Sequence, residues 1–262
     1  MVQRITIDAA QLKEGTIWLR DDQQHYLCRV LRLSAGAKFI AQDGEGCQWL
    51  ARLSEASVCE TRSRETRGNN AAALLPSQAQ VLNEIVATTL NTAPFRLIAA
   101  LPMGNSFDEV VRQTTELGVT HIYPVISDRT ILKPSDNKLA RWRRIATEAS
   151  EQSERGTVPT ISPPERFRTL LTHADWEGHR YICAARQQSP HLLSQLQIDL
   201  MPGESLPVNL MVGPEGGWTS AEITDAIALE YKVVALGPVI LRAVTAPVTA
   251  LSLIAAVREL LT

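Results

Sequence analysis

The chain is predicted to be an α/β protein in two parts, a small β-barrel followed by a parallel sheet with helices on both faces. Three observations predict this. From Phe95 onward, apolar strand-like runs alternate with helix-like stretches, the sign of a parallel sheet built from strand–helix units. Before Phe95 the runs are short and broken by Gly, Asp and Ser, as in a small barrel. Near the C-terminus, NLMVGPEGGWTSAEI carries an apolar strand straight into a glycine-rich bend and a helix start, the place where open α/β sheets bind ligands.

In the first part, RITID, TIWLR, KFIAQDGEG and CQWLARLSE read as strands, and Asp43-Gly44-Glu45-Gly46 is a hairpin signal. One helix is expected, over His25 to Leu33. Glu60 to Ser77 is charged, then Gly-Asn-Asn, then Ala-rich and bounded by proline, and reads as an exposed loop or insertion. Gln80 to Thr88 returns as a strand, which sets the boundary between residues 1–92 and 93–262. In the second part come FRLIAAL, a helix near Ser106 to Leu117, THIYPVI, a long helix near Ser135 to Ser153, and RYICAA, followed by two strand–helix units.

Those last two units carry the candidate site. Val208 to Val212 runs into Gly213-Pro214-Glu215-Gly216-Gly217-Trp218, and Thr219 with Glu222 forms a capping-box pattern. Lys232 to Ala235 runs into Leu236-Gly237-Pro238-Val239-Ile240-Leu241-Arg242. Thr245 and Pro247 suit the first turn of a last helix, which is apolar on nearly every side from Val248 to Leu261 and is expected to be buried.

Bulk properties bound the rest. The 262 residues are 45% hydrophobic, enough for a real core, and the formal net charge of -2 excludes a uniformly basic nucleic-acid binder. Any nucleic-acid contact must come from local patches. Cys28, Cys47, Cys59 and Cys183 are scattered, and with the five histidines they give no zinc spacing, so no metal is assigned and reduced thiols in a cytoplasmic protein are expected. MVQRITIDAAQLKEG lacks an apolar signal core, and no apolar run approaches the ~20 residues of a membrane span.

The pair GPEGGW and LGPVILRAVTA resembles the signatures of the ribosomal RNA small subunit methyltransferase E family, within the SPOUT class of S-adenosylmethionine-dependent methyltransferases. HYLCRVLRLSAG, RQTTELGVTHIYPVISDRT and EQSERGTVP resemble further family segments, in the expected order over nearly the whole chain. The resemblance implies a PUA-like RNA-binding barrel, a trefoil-knotted SPOUT domain and a homodimer with its cofactor sites at the subunit interface. It implies S-adenosylmethionine as cofactor and methylation of uridine N3 in small-subunit (16S) ribosomal RNA, either free or in the assembled subunit.

The cofactor site is expected to combine Ala184 at one strand end, Met211, Gly213, Glu215 and Gly216 at a second, and Leu236, Gly237, Pro238, Ile240 and Leu241 at a third. A glycine loop without lysine lacks the cation a P-loop aims at triphosphate, which favours a nucleoside cofactor over ATP. Glu215 is open between a ribose hydroxyl, the sulfonium and a simple helix-terminus role. Arg242 is the candidate catalytic cation. Arg29, Arg32, Arg129 and Arg155 are candidate RNA contacts, Arg29 and Arg32 on one helix face and the other two in family-like segments. Lys138, Arg141, Arg143 and Arg144 are a basic stretch that reads as a solvated helix face. Where many family members have Arg and Glu, this chain has Val239 and Val244. These valines keep a non-catalytic RNA-binding paralogue open, and another SPOUT RNA methyltransferase activity stays open beside it.

Overall fold

The computed structural model describes residues 2–55, 77–85, 93–131, 134–173, 176–185, 187–200 and 206–261. The loop expected over Glu60 to Ser77 lies almost wholly outside them. The chain divides into two compact units, Met1–Thr89 and Leu90–Thr262.

The first unit is a six-stranded sheet: β1 (Arg4–Thr6), β2 (Leu12–Lys13), β3 (Thr16–Trp18), β4 (Lys38–Gln42), β5 (Gln48–Leu53) and β6 (Gln78–Ile85). Their order is β1-β4-β5-β6-β3-β2, antiparallel throughout except for the parallel pair β1–β4. Ile5, Ile17, Leu27, Phe39, Ala51, Leu53 and Ala79 form its core. The β4–β5 hairpin forms where Asp43 was expected to turn the chain: its Oδ1 accepts from the backbone N–H groups of Glu45, Gly46 and Cys47 at 2.8, 3.0 and 3.0 Å.

The helix expected over His25–Leu33 starts earlier and ends sooner. α1 covers Asp21–His25 and continues as a π-turn over Tyr26–Val30. The polar run Asp-Asp-Gln-Gln hid its start. Asp21 and Asp22 occupy the first turn, where carboxylates suit the positive helix end. Buried Gln23 accepts from Arg20 N at 2.9 Å and from Gln11 Nε2 at 2.7 Å, and donates to Thr6 O at 2.9 Å. Arg32 has φ of 55°, outside the helix, so Arg29 and Arg32 do not share a helix face.

The second unit is the expected parallel sheet. It contains β7 (Phe95–Ala100), β8 (His121–Ile126), β9 (Thr160–Ile161), β10 (Glu165–Arg166), β11 (His179–Cys183), β12 (Val208–Val212) and β13 (Lys232–Val234). The order is β10-β8-β7-β12-β11-β13, every pair parallel, with β9 also on β8. The edge beside β8 is split into β9 and β10 because Pro163 and Pro164, which lie between them, have no N–H for the ladder.

Residues alternate between two apolar layers. Leu97, Ala99, Leu210 and Val212 face α2 (Ser106–Glu116), α3 (Asp136–Gln152), α5 (Leu192–Asp199) and α7 (Thr245–Leu261). Ile98, Ala100, Ile182 and Met211 face α4 (Phe167–His173) and α6 (Ser220–Ala228). Helices thus cover both faces, as parallel sheets require. α7 is not buried all round within the chain: Pro247, Ala250, Leu251, Ile254 and Val257 form one buried stripe, while Leu260 is 85% exposed.

Candidate cofactor and RNA site

Register brings the expected loops together. Cys183 pairs with Val212 on one side and with Val234 on the other, so the chain leaves β11, β12 and β13 side by side. Ala184, Gly213 and the 236–242 loop therefore share the carboxyl edge of the sheet. Beyond that edge Ala235 N donates to Pro190 O at 2.9 Å and Leu192 N donates to Ala235 O at 2.8 Å, which ties the β11 and β13 loops. Burial pushes the Cys183 thiol up to about 12, so it is a wall and not a nucleophile at neutral pH.

Each glycine of the first loop has a local reason. Gly217 closes a turn, donating to Pro214 O at 2.8 Å with φ of 68°. A Cβ on Gly213 would stand 3.2 Å from both N and Nε1 of Trp218, and one on Gly216 would stand 3.2 Å from Cδ of Arg129. The turn then enters α6 through the expected capping box. Thr219 N donates to Glu222 Oε2 at 2.8 Å and Glu222 N donates to Thr219 Oγ1 at 3.3 Å.

Two neighbouring loops hold this turn. Glu215 Oε1 accepts from Met103 N at 3.0 Å, in the loop after β7. On the other side, Arg129 donates through one NH group to Gly216 O at 2.6 Å and Trp218 O at 3.3 Å. Buried Glu222 also accepts from Asp128 N at 2.9 Å. The 127–130 loop has a second face on a cavity of about 830 Å³, lined also by Arg166, Phe167 and Leu139.

The second loop is open. Gly237 has φ of 135°, and Pro238, Val239 and Ile240 are exposed. Leu236 packs on the core, and Leu241 is half-buried. Arg242 accepts Ala246 N–H at 2.9 Å through its carbonyl, while its exposed guanidinium has no ion pair or hydrogen bond among the described residues. Val244 is half-buried against the core, so position 244 brings no carboxylate to Arg242.

Some expected site residues are placed elsewhere. Met211 is fully buried, its side chain in the layer beneath α6 and its backbone in ladders with Ile98 and Ile182, so it is framework. Arg155 lies at the amino ends of the strands. It donates to the Thr115 carbonyl and, at 3.0 Å, to Val119 O, closing the end of α2 and the entry to β8. Burial lowers its pKa. The basic face of α3 is tied down: Lys138 to Gly104 O (2.9 Å), Arg141 to Asp108 (2.8 Å), Arg143 to Ile161 O (3.1 Å) and Arg144 to Glu148 (3.5 Å). Arg29 and Arg32 are exposed and have no ion pair or hydrogen bond among the described residues. Asp128, Met103 and Glu222 were missed as parts of the site; the capping box was the one signal that marked Glu222.

A model of the RNA methyltransferase domain matches residues 89–255, and a model of the RNA methyltransferase PUA domain matches residues 19–57. The chain is 40% identical to the ribosomal RNA small subunit methyltransferase E of Synechocystis sp., over 99% of this chain and 79% of that protein. The chain belongs to this methyltransferase family. It is 28% identical to the Bacillus subtilis member, over 98% of this chain and 96% of that one. It superposes with a TM-score of 0.79 and 31% identity on the crystal structure of a ribosomal RNA small subunit methyltransferase E from Neisseria gonorrhoeae bound to S-adenosyl methionine, covering 99% of this chain and 98% of that one. A methyltransferase structure from Legionella pneumophila, at 23% identity and a TM-score of 0.80, shares the fold. The described residues include no helix long and apolar enough to cross a membrane.

Proposed function

We propose that the chain is an S-adenosylmethionine-dependent methyltransferase that acts on uridine N3 in small-subunit ribosomal RNA. The observation that carries the reading is the row of three loops at the carboxyl edge, with Arg242, unpaired among the described residues, shortly after the exposed 238–240 segment. Residues 1–92 would hold the RNA and residues 93–262 would carry the chemistry.

The loops fit the cofactor. Gly213 and Gly216 present backbone without side chains, Pro238 and Ile240 offer exposed apolar surface for a nucleobase, and no lysine stands in either loop to select a triphosphate. Ala184, Gly213, Gly216 and Leu236 to Leu241 would hold it. When bound, the cofactor supplies a methyl group on a sulfonium, an activated leaving group. The chain's task is to orient the uracil and to favour loss of the N3 proton. Arg242 would do the second, placing a fixed cation where negative charge gathers on the uracil carbonyl oxygens. No acid at position 244 competes for it.

The exposed flank of α7, including Leu260, supports a homodimer that covers it. Arg29 and Arg32, exposed and unpaired among the described residues, support salt-sensitive RNA binding by the first unit. A cytoplasmic location follows from the substrate.

Arg242→Ala should keep S-adenosylmethionine affinity and lose ~100-fold or more in methyl transfer to ribosomal RNA. Transfer at the parent rate would remove Arg242 from the mechanism. Mass spectrometry of ribosomal RNA nucleosides from cells lacking the gene should show loss of N3-methyluridine. Val239 and Val244 favour one other reading, a non-catalytic RNA-binding paralogue, and RNA binding without any transfer by the parent protein would select it.

A further inference from the structure

Arg129 was expected to meet RNA, but its surroundings point elsewhere. β8, whose carboxyl end carries Arg129, and β12, whose end carries the glycine turn, are not neighbours; β7 lies between them. The 127–130 loop nevertheless reaches across. The Arg129 side chain lies against Gly216, with Cδ and Cβ 3.2 and 3.4 Å from where a Cβ would stand. Its guanidinium donates to the Gly216 and Trp218 carbonyls at 2.6 and 3.3 Å. Those carbonyls flank Gly217, whose positive φ sets the shape of the turn. Asp128, one residue earlier, is held at its N–H by Glu222 of α6, and its Oδ2 lies 3.3 Å from Thr219 Oγ1. The loop after β8 and the turn into α6 are thereby joined at both ends of the turn.

We infer that Arg129 is a positioning residue for the cofactor loop: it fixes Gly216-Gly217-Trp218 in the shape that receives S-adenosylmethionine, and it is not a phosphate contact. The inference rests on the functional reading above. It also explains why position 216 is glycine, since the arginine stem fills the space a side chain would need. Both carbonyls are met by one guanidinium nitrogen, held in place by the packed arginine stem, whereas a lysine would bring a more strongly hydrated ammonium on a flexible stem.

The test compares the full chain with Arg129→Ala, Arg129→Lys, Gly216→Ala and the double variant Arg129→Ala/Gly216→Ala. Calorimetry reads S-adenosylmethionine affinity, and RNA binding is followed against salt. Arg129→Ala should weaken cofactor affinity about tenfold, raise KM for the cofactor more than it lowers kcat, and leave the salt slope of RNA binding at the parent value. Arg129→Lys should recover part of the affinity. Gly216→Ala should lose less affinity in the Arg129→Ala background than in the parent, because the obstructing stem is gone. The opposite pattern overturns the proposal: unchanged cofactor affinity, with a salt slope reduced by about 0.7 to 0.9, would make Arg129 a phosphate contact. Equal Gly216→Ala losses in both backgrounds would also overturn it. A parent protein that binds no S-adenosylmethionine would overturn the functional reading itself, and this inference with it.

Discussion

Glu222 gives the sharpest test of how the site is built. Its carboxylate is 1% exposed and accepts from Asp128 N at 2.9 Å and from Thr219 N at 2.8 Å. The Thr219 hydroxyl stands 3.0 Å from Glu222 Oε2 and 3.3 Å from Asp128 Oδ2, so its single proton serves one of them at a time. Glu222→Ala removes the acceptor from two backbone N–H groups. Each left unpaired costs about 1–3 kcal/mol, discounted because Asp128 is exposed and Thr219 half-exposed, so that water can reach both. Loss of the capping box removes further helix stability. A total of about 2–4 kcal/mol is expected. Glu222→Gln keeps the shape but turns an NH₂ donor toward one of the N–H groups, and should cost about 1–2 kcal/mol. Urea unfolding of the full chain, followed by tryptophan fluorescence, should show the midpoint falling with little change in slope for the phase that reports the second unit. An alanine variant within 0.5 kcal/mol of the parent would mean the carboxylate does not hold the two loops together, and would remove the physical basis for treating them as one piece.

Gly178→Ala should be among the most damaging glycine substitutions: φ is 93°, and a Cβ would stand 2.1 Å from Pro207 O, which accepts the His179 N–H at 2.8 Å. A loss of about 2–5 kcal/mol is expected, read as a lowered thermal midpoint, and an unchanged midpoint would contradict the entry geometry of β11 and β12. For His121, burial first and then Arg96 lower the pKa below its ordinary 6.5. The unfolded chain then binds more protons just below pH 6.5, so stability is full above that pH and falls as pH drops. His121→Gln should flatten the fall between pH 7 and 5.5 in urea titrations, and an unaltered slope would place the titration elsewhere.

The alternation of strands and helices was legible because the second unit follows simple rules. Its central strands are buried on both faces, so FRLIAAL and VNLMV are apolar at every position but the second, Arg96 and Asn209, and its glycine turns follow strand ends. What escaped were short elements whose identity is tertiary. α4 has seven residues and α5 eight, and α5 is capped by His191, whose Nδ1 accepts from Leu193 N at 3.2 Å, a residue outside the usual capping set. β9 and β10 are two residues each and exist through pairing with β8. α1 escaped because its one buried residue, Gln23, is polar and is held by Gln11 and Thr6, partners that no local pattern reveals.

The arginines show where reading residues stops. Arg129, Arg155 and Arg242 each stand in a segment similar to the family's, and as letters they are equivalent. A guanidinium acts on whatever acceptors lie in its plane, and these are set by the fold. Arg155 meets two carbonyls, Thr115 O in the last turn of α2 and Val119 O just past that helix. Arg129 meets two carbonyls of a glycine turn, because tight turns cannot pair all their own groups. Arg242 follows a loop whose exposed residues Pro238 to Ile240 present no carboxylate to it, and its own carbonyl is taken by the first turn of α7. Of the three it alone keeps its charge unengaged by the described residues. A cation held at the edge of a ligand loop without an internal partner is poised to act on something that arrives, whereas one that closes a helix end or a turn is already in use. That distinction, and not the motif alone, is the ground on which Arg242 is proposed for the chemistry and Arg129 for the shape of the loop.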